Sequence, residues 1–336
     1  MPKVTVLMPV FNGEAYLKES IQSILDQTFN DYEFLIIDDG STDKSSSIID
    51  SFSDPRIRFE RYNNHRGTVH VLNSGIRLSR GEYIARMDCD DISLPHRLAN
   101  QVRFMDTHPD TGVSGCAMRL IKKGRLKNIR YQPESDQELK IALLFKTCFF
   151  HPTVIMRRSL AARFLYPENL IYTQDYNFWT RLARETCFAN LRETLVYFRE
   201  HPGQVSSKRA ATQKTNARSI RASYLQALFE ETTAEDLEIH HHIAENSCGI
   251  DLEKAKEWLE HLIELNARSQ IFQSGIFLKA ISRKWWDCCK KNTHYGKNAL
   301  NMYRSSYLQK HHQPEIFKYV KFYGRCLLKE NNQKYN

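Results

Sequence analysis

The chain has no long apolar run. Nowhere do its 336 residues approach the roughly 20 consecutive apolar positions that a membrane-spanning helix requires. Residues Met1 to Val10 show neither a basic segment ahead of an extended apolar core nor a small-residue cleavage site, so they read as a first strand and not as a secretory signal. The eight cysteines include no CxxC pair, and Cys288 and Cys289 are adjacent. That spacing argues against a disulfide framework and a zinc site, and suits reduced thiols in a cytoplasmic protein. Neither GxGxxG nor GxxxxGK[ST] occurs, which removes the usual dinucleotide and phosphate-loop signatures. Internal repeats and low-complexity linkers are missing too. Acidic residues run short in one place only: from Lys279 to Asn336 there are 13 Lys/Arg against 3 Asp/Glu, whereas the preceding 278 residues carry 35 against 36. The net charge of +9 therefore belongs to the tail. With 41% hydrophobic and 26% charged residues the composition is that of a folded globular protein, long enough for one large domain plus an appendage or for two domains.

What is present is an alternation of strand and helix. Val4-Thr5-Val6-Leu7-Met8-Pro9-Val10 is a β-rich run ended by Pro9 and the turn pair Asn12-Gly13. Residues 14–27 then place Tyr16, Leu17, Ile21, Ile24 and Leu25 at helical spacing. Phe34-Leu35-Ile36-Ile37 is continuously apolar, as in a strand buried on both faces, and stops at Asp38-Asp39-Gly40-Ser41. A short helix around Ile48 and Ile49, a strand at Ile57-Arg58-Phe59, a helix over 69–78 and a strand over 82–87 follow. Units of about 30 residues in this order are the βαβ pattern of a mainly parallel sheet flanked by helices. Further strands are expected over 113–121, 153–156 and 195–198, and helices over 137–145 and 176–184. Beyond about 210 the strands stop, leaving helices over 216–230, 236–244, 251–265, 271–286 and 316–328. The boundary drawn from this is an α/β domain over 1–210 and a helical region over 211–336, basic after 279.

In such sheets ligands gather at the carboxyl ends of the strands. Phe11-Asn12, Asp38-Asp39 and Asp88-Cys89-Asp90-Asp91 each follow a predicted strand, so three polar clusters converge on one edge. Three carboxylates within four residues repel one another unless a cation offsets them, which points to a divalent metal. The other reading is a solvated acidic loop ahead of a helix capped by Asp91 or Ser93, with Pro95 in its first turn. His240-His241-His242 and His311-His312 look like metal tracts, but neighbours on a helix point to different faces, so a solvated polar face is expected there.

Taken in order, Val4-Thr5-Val6-Leu7-Met8-Pro9-Val10-Phe11-Asn12, Ile36-Ile37-Asp38-Asp39-Gly40-Ser41-Thr42-Asp43, Asn73-Ser74-Gly75 and Gly81-Glu82-Tyr83-Ile84-Ala85-Arg86-Met87-Asp88-Cys89-Asp90-Asp91 resemble the family 2 glycosyltransferases over roughly residues 3–206. The resemblance implies a GT-A fold, a nucleotide-diphosphate sugar donor, a divalent metal (Mn2+ or Mg2+) and inversion at the anomeric carbon. It implies that Pro9, Phe11 and Asn12 line the base pocket and that Asp39 accepts a hydrogen bond from the base, commonly the imide N–H of uracil, since a carboxylate accepts and cannot donate. Asx-type turns are the alternative for Asp39 and the expectation for Asp38 and Asp43. Asn73, Asp88, Arg86 and Arg66 join the donor site by the same resemblance, the last two as cations near the diphosphate, with Arg77 nearby; a surface arginine is the other reading. Of the Asp88–Asp90 pair, the resemblance implies Asp90 as the direct metal ligand. Gln174-Asp175-Tyr176-Asn177-Phe178-Trp179 resembles the family's catalytic segment, with Gln174 where glutamate is common and Asn177 where an acidic residue often stands. Asp175 takes the place of the base that deprotonates the acceptor hydroxyl; an N-cap of the helix over 176–184 is its structural alternative. His151-Pro152-Thr153 and the segment from Arg199 through His201 to Ser206 resemble elements flanking the acceptor region, and His201 would complete the metal shell or meet the diphosphate.

The basic tail interleaves cations with aromatics: Trp285-Trp286, Tyr303, Tyr307 and Phe317-Lys318-Tyr319-Val320-Lys321-Phe322-Tyr323-Gly324-Arg325. Peripheral binding of 279–336 to an anionic inner leaflet is one expectation and a solvated basic face the other; no nucleic-acid motif occurs. The function that follows is a hexosyl- or N-acetylhexosaminyl-transferase using a UDP-sugar by preference, acting on a glycan or lipid-linked glycan in surface polysaccharide or lipopolysaccharide biosynthesis. The alternatives are a catalytically silent nucleotide-sugar binding module and a nucleotidyltransferase on a related sheet. No Gln-x-x-Arg-Trp segment or spanning helix points to a processive synthase.

Overall fold

A computed structural model describes residues 1–170, 172–201 and 210–333, with the side chains of 210 and 329–333 left out; Pro202 to Ser206 of the segment that follows His201 lie outside the described residues. The chain opens with β1 (Val4–Val10), α1 (Leu17–Leu25), β2 (Tyr32–Asp38), α2 (Ser45–Asp50), β3 (Ile57–Arg61), α3 (Thr68–Leu78) and β4 (Tyr83–Arg86). These four strands are parallel in the order β3-β2-β1-β4. Leu7 pairs with Arg86 and Val10 with Asp38, so the carboxyl ends of β1, β2 and β4 open on one edge.

Next come β5 (Ile92–Ser93), α4 (Arg97–Thr107), β6 (Thr111–Lys122), β7 (Arg125–Arg130), α5 (Asp136–Leu143), β8 (Ile155–Arg157), α6 (Arg158–Phe164), α7 (Gln174–Leu182) and β9 (Cys187–Glu200). The sheet continues from β4 through β8, β6 and β9 to β5, with β7 on β6. Here the pairing is mixed: β8 is antiparallel to β4 and β6, while β6 and β9 run parallel. The parallel expectation thus holds for the first half and gives way in the second. The core of the parallel half joins Val4, Val6, Met8, Phe34 and Ile36 to Leu17, Ile21, Leu98 and Val102, all buried. At about 1.5–3 kcal/mol per buried large apolar side chain, this layer fixes where the strand ends point.

The helical region comprises α8 (Ala210–Leu228), α9 (Ala234–Ala244), α10 (Leu252–Ser269), α11 (Ser274–Lys291), α12 (Lys297–Ser305) and α13 (Ile316–Gln333). Two compact units result, one of residues 1–140 with 147–217 and one of 141–146 with 218–336. In the second, Trp285, Trp286, Tyr303 and Phe322 are buried, so these rings of the basic tail form its core. The expectation of a solvated face at the triple histidine is overturned: His240 and His241 are buried, and only His242 lies toward the surface, 3.1 Å from Glu238. His240 Nε2 donates to the Leu144 carbonyl at 2.7 Å and its Nδ1 accepts from Trp258 Nε1 at 3.1 Å, which fixes one neutral tautomer. Burial lowers its pKa to about 3. Polarity alone misplaces such a histidine, because its two partners come from distant segments.

Candidate active site

The acidic cluster leaves the last residue of β4 and is pinned from three sides. Beneath it Arg97, fully buried, donates to the Arg86 carbonyl at 2.7 Å, to Gln101 Oε1 at 3.0 Å and to the Met87 sulfur at 3.4 Å. Burial pulls its guanidinium pKa down to about 10. From α1, Ser20 Oγ donates to the Asp91 carbonyl at 2.6 Å. From β9, the Arg199 backbone N–H donates to Asp91 Oδ1 at 2.9 Å and Arg199 Nε to the Asp90 carbonyl at 2.9 Å. Arg199 is itself held by Glu19 at 2.5 Å and lies over the Tyr16 ring at 4.5 Å. Asp91 is wholly buried, and its position serves the loop; burial pushes its carboxyl pKa well up, with Asp88 and Asp90 adding to the rise.

Carboxylate oxygens of Asp88, Asp90 and Asp91 all lie within 4.8 Å of one another. Asp88 pairs with the buried Arg86, and Asp90 Oδ2 lies 2.9 Å from His201 Nε2. Desolvation raises the Asp88 pKa and Asp90 raises it further, against the pull of Arg86. Arg86 pairs directly with Asp88 and Arg97 also lowers its pKa from beneath, yet the crowded carboxylates still raise the pKa of one another, a repulsion that a cation relieves. The donors are hard oxygens with one imidazole alongside, which suits Mg2+ or Mn2+ and not a thiophilic metal. The residues present fit a divalent ion.

At the ends of β1 and β2 lies a second surface. Phe11, 44% exposed, stacks on His65 with centroids 4.0 Å apart. His65 Nδ1 is 2.8 Å from Asp39 Oδ2, and the buried Asp39 also accepts from the backbone N–H groups of Arg66 and Gly67, each at 2.8 Å. The loop passes so close that a Cβ on Gly40, at φ +74°, would meet Asn64 at 2.8 Å. Asn12 takes φ 51° and ties the two strand ends together: its N–H donates to Ser41 Oγ at 2.9 Å and its Oδ1 accepts from Thr42 N at 2.9 Å. Pro9 remains within β1, opposite Ile37. Asp38 and Asp43 make the expected turns, accepting from Ser41 N at 3.0 Å and Ser45 N at 2.9 Å. Arg66 is exposed, its guanidinium over the Tyr62 ring at 4.9 Å; Arg77, on α3, is exposed as well.

The third wall comes from α7. Its N-cap position is Thr173, and Asp175 lies in the first turn, where desolvation raises its carboxyl pKa. Arg86 lowers that pKa and Asp88 raises it, so Asp175 shares the field of the acidic cluster. Beside it His151 Nε2 meets Tyr166 OH at 2.8 Å, and Tyr166 stacks on Phe178 at 4.3 Å. Burial, with Arg86 nearby, holds His151 well below the usual imidazole range. Asn73 reaches this wall indirectly: its amide accepts from Tyr166 N at 2.8 Å and donates to Tyr166 O at 2.9 Å. Sequence reasoning missed Arg97, Tyr166 and His65. Buried arginine and a loop tyrosine carry no local signature, whereas His65, one residue before Arg66, stood within reach of notice.

Residues 5–165 match the model of the glycosyl transferase family 2. An uncharacterized glycosyltransferase of Haemophilus influenzae is 30% identical over 233 residues, covering 66% of this chain and 72% of that protein. The O-antigen biosynthesis glycosyltransferase WbnJ of Escherichia coli is 30% identical over 225 residues, covering 65% of this chain and 87% of that protein. Among solved structures, S. aureus TarS 1-349 in complex with UDP-GlcNAc superposes with a TM-score of 0.55 at 17% identity over 99% of this chain and 92% of that one. The strand ends, the acidic cluster and these likenesses agree: the chain is a glycosyltransferase that belongs to the glycosyl transferase family 2, built on a GT-A fold with a C-terminal helical extension.

Proposed function

We propose that this protein is an inverting, metal-dependent transferase that moves a sugar from a UDP-linked donor to a hydroxyl of a glycan or lipid-linked glycan in surface polysaccharide or lipopolysaccharide assembly. The observation that carries the reading is the gathering of the Asp88, Asp90 and Asp91 carboxylates within 4.8 Å at the exit of β4, in the same field as Asp175. In this reading residues 1–210 do the chemistry and 211–336 are accessory.

Asp90 would hold Mn2+ or Mg2+ with His201 beside it, and the ion would supply positive charge to the departing diphosphate. Phe11 and His65 offer a flat surface to the base, flanked by Pro9 and Asn12. Asp39 keeps one lone pair, on Oδ1, for an imide N–H beyond the three contacts it already makes. Asp88 takes the ribose side, and Arg86 and Arg66 bring charge toward the diphosphate. Asn73 acts through Tyr166. Asp175 removes the proton from the acceptor hydroxyl as its oxygen attacks the anomeric carbon opposite the leaving group. The new C–O bond forms as the bond to the diphosphate breaks, and the configuration inverts.

The WbnJ likeness supports a surface-glycan acceptor, and the TarS likeness supports UDP. The reading places the protein in the cytoplasm, peripheral on the inner face of the membrane through its basic tail. Thermal-shift measurements with UDP, GDP and dTDP sugars, with and without Mn2+, test it. Stabilisation by a UDP-sugar that deepens with Mn2+ is expected; no shift with any nucleotide sugar overturns it.

A further inference from the structure

The last described helix has two apolar faces, and among the described residues only one is covered. Along α13, Phe322 and Cys326 are buried, with Phe322 5.1 Å from Trp286 and 5.8 Å from Tyr303 between ring centroids. The other face carries Ile316, Phe317, Val320 and Leu328 at 83%, 76%, 60% and 69% exposure, with Tyr323 beside them. Ile316, Val320 and Tyr323 follow at i, i+4 and i+7, and Phe317 and Leu328 lie three turns apart alongside. Single exposed apolar residues are ordinary on a surface; five on one helical face are not.

Charge says what covers this face. Lys321 and Arg325, four residues apart and exposed, border it, and Lys318 lies beyond them, paired with Glu315 at 2.6 Å. Among the described residues no helix is long and apolar enough to cross a membrane. A helix with an apolar stripe, a cationic border and its far side anchored in a protein core suits the plane of a lipid interface. A second copy suits it less, because a two-fold contact through this stripe would confront Lys321 and Arg325 with themselves.

We propose that the outer face of α13 docks the protein on an anionic bilayer, with Ile316, Phe317, Val320 and Leu328 entering the headgroup boundary and Lys321 and Arg325 meeting lipid phosphates. The assignment relocates the contact: Trp285, Trp286 and Tyr303 are core residues, and the surface is one helix wide. It rests on the transferase reading for its purpose, since it would bring the site to a lipid-linked acceptor, but not for its geometry.

The test is flotation of the full-length chain with vesicles of phosphatidylcholine containing about 30 mol% phosphatidylglycerol, and with phosphatidylcholine alone, at low and high salt. Wild type is expected to float with the anionic vesicles only, and less at high salt. Phe317→Ser/Val320→Ser and, separately, Lys321→Glu/Arg325→Glu are expected to weaken binding at least about tenfold. Sugar-nucleotide hydrolysis in the absence of lipid is measured on the same samples, and both variants are expected to match wild type. The docking is overturned if wild type stays behind, if the variants float equally well, or if light scattering shows a dimer that the same substitutions dissolve. Absence of hydrolysis in wild type would instead count against the transferase reading, and the two failures are thereby separate.

Discussion

His201 Nε2 stands 2.9 Å from Asp90 Oδ2, joining the residue after β9 to the loop after β4 across 111 positions of sequence. The contact lets one imidazole either orient the carboxylate or share its ion. Partners of metal ligands typically contribute about 10–100-fold in affinity. His201→Ala is therefore expected to raise the Mn2+ concentration for half-maximal donor hydrolysis about tenfold or more, with the melting temperature little changed. Unaltered metal dependence would remove His201 from the shell.

Asp91 differs in kind from Asp88 and Asp90. Its carboxylate is buried and receives the Arg199 backbone N–H at 2.9 Å. Asp91→Ala leaves that donor without a partner and is expected to cost about 1–3 kcal/mol in urea unfolding. Asp91→Asn keeps an acceptor oxygen and sheds a buried charge, so it is expected to hold or gain stability. If both substitutions were equally harmful, the carboxylate charge itself would be needed.

Asn73 makes a reciprocal pair of hydrogen bonds with the Tyr166 backbone from a buried position. Asn73→Ala is expected to cost about 2–4 kcal/mol in stability and to slow turnover by freeing Tyr166 beside His151. A stable variant with normal turnover would show that Tyr166 needs no such support.

The histidines of the helical unit predict an acid weakness. His240 is buried and neutral, with a folded pKa near 3 against about 6.5 unfolded, so the unfolded state binds more protons throughout that window. Stability is complete above about pH 6.5 and falls as pH drops toward 3. Between pH 6.5 and 5 the loss from this residue is about 2 kcal/mol, read as a shift in the urea midpoint. A pH-independent midpoint across that range contradicts the burial of His240.

How much of this was legible beforehand differs along the chain. β1, β2 and β4 were plain because each is a buried, largely apolar run, while β3 showed by its alternation of Ile57 and Phe59 with charged residues; the carboxyl ends of β1, β2 and β4 carried the chemistry with them. Asp88 and Asp90 lie together at the exit of β4, and His201 reaches Asp90. The mixed half was harder: β7 has every residue exposed, so it offers no buried alternation, and only 195–198 of the long β9 stood out because Arg192 and Glu193 interrupt its pattern. The short polar helix α12 was passed over, and the His240 tract was misread because its partners, Leu144 and Trp258, are remote in sequence. Local periodicity reports which face of an element is apolar; it does not report which distant group satisfies a buried polar atom.

Asp175 carries the central claim. As the base it works only when ionised, and desolvation raises its pKa, so the acidic limb of kcat is expected above the ordinary aspartate value of about 3.9. The most direct measurement pairs turnover with binding: nucleotide release from a UDP-sugar with acceptor and Mn2+, and UDP affinity by calorimetry, for wild type and Asp175→Asn. The account predicts that Asp175→Asn loses at least about 100-fold in kcat, together with the acidic limb, while binding UDP within about threefold of wild type. An Asp175→Asn protein that turns over as wild type, with the same pH profile, would contradict it.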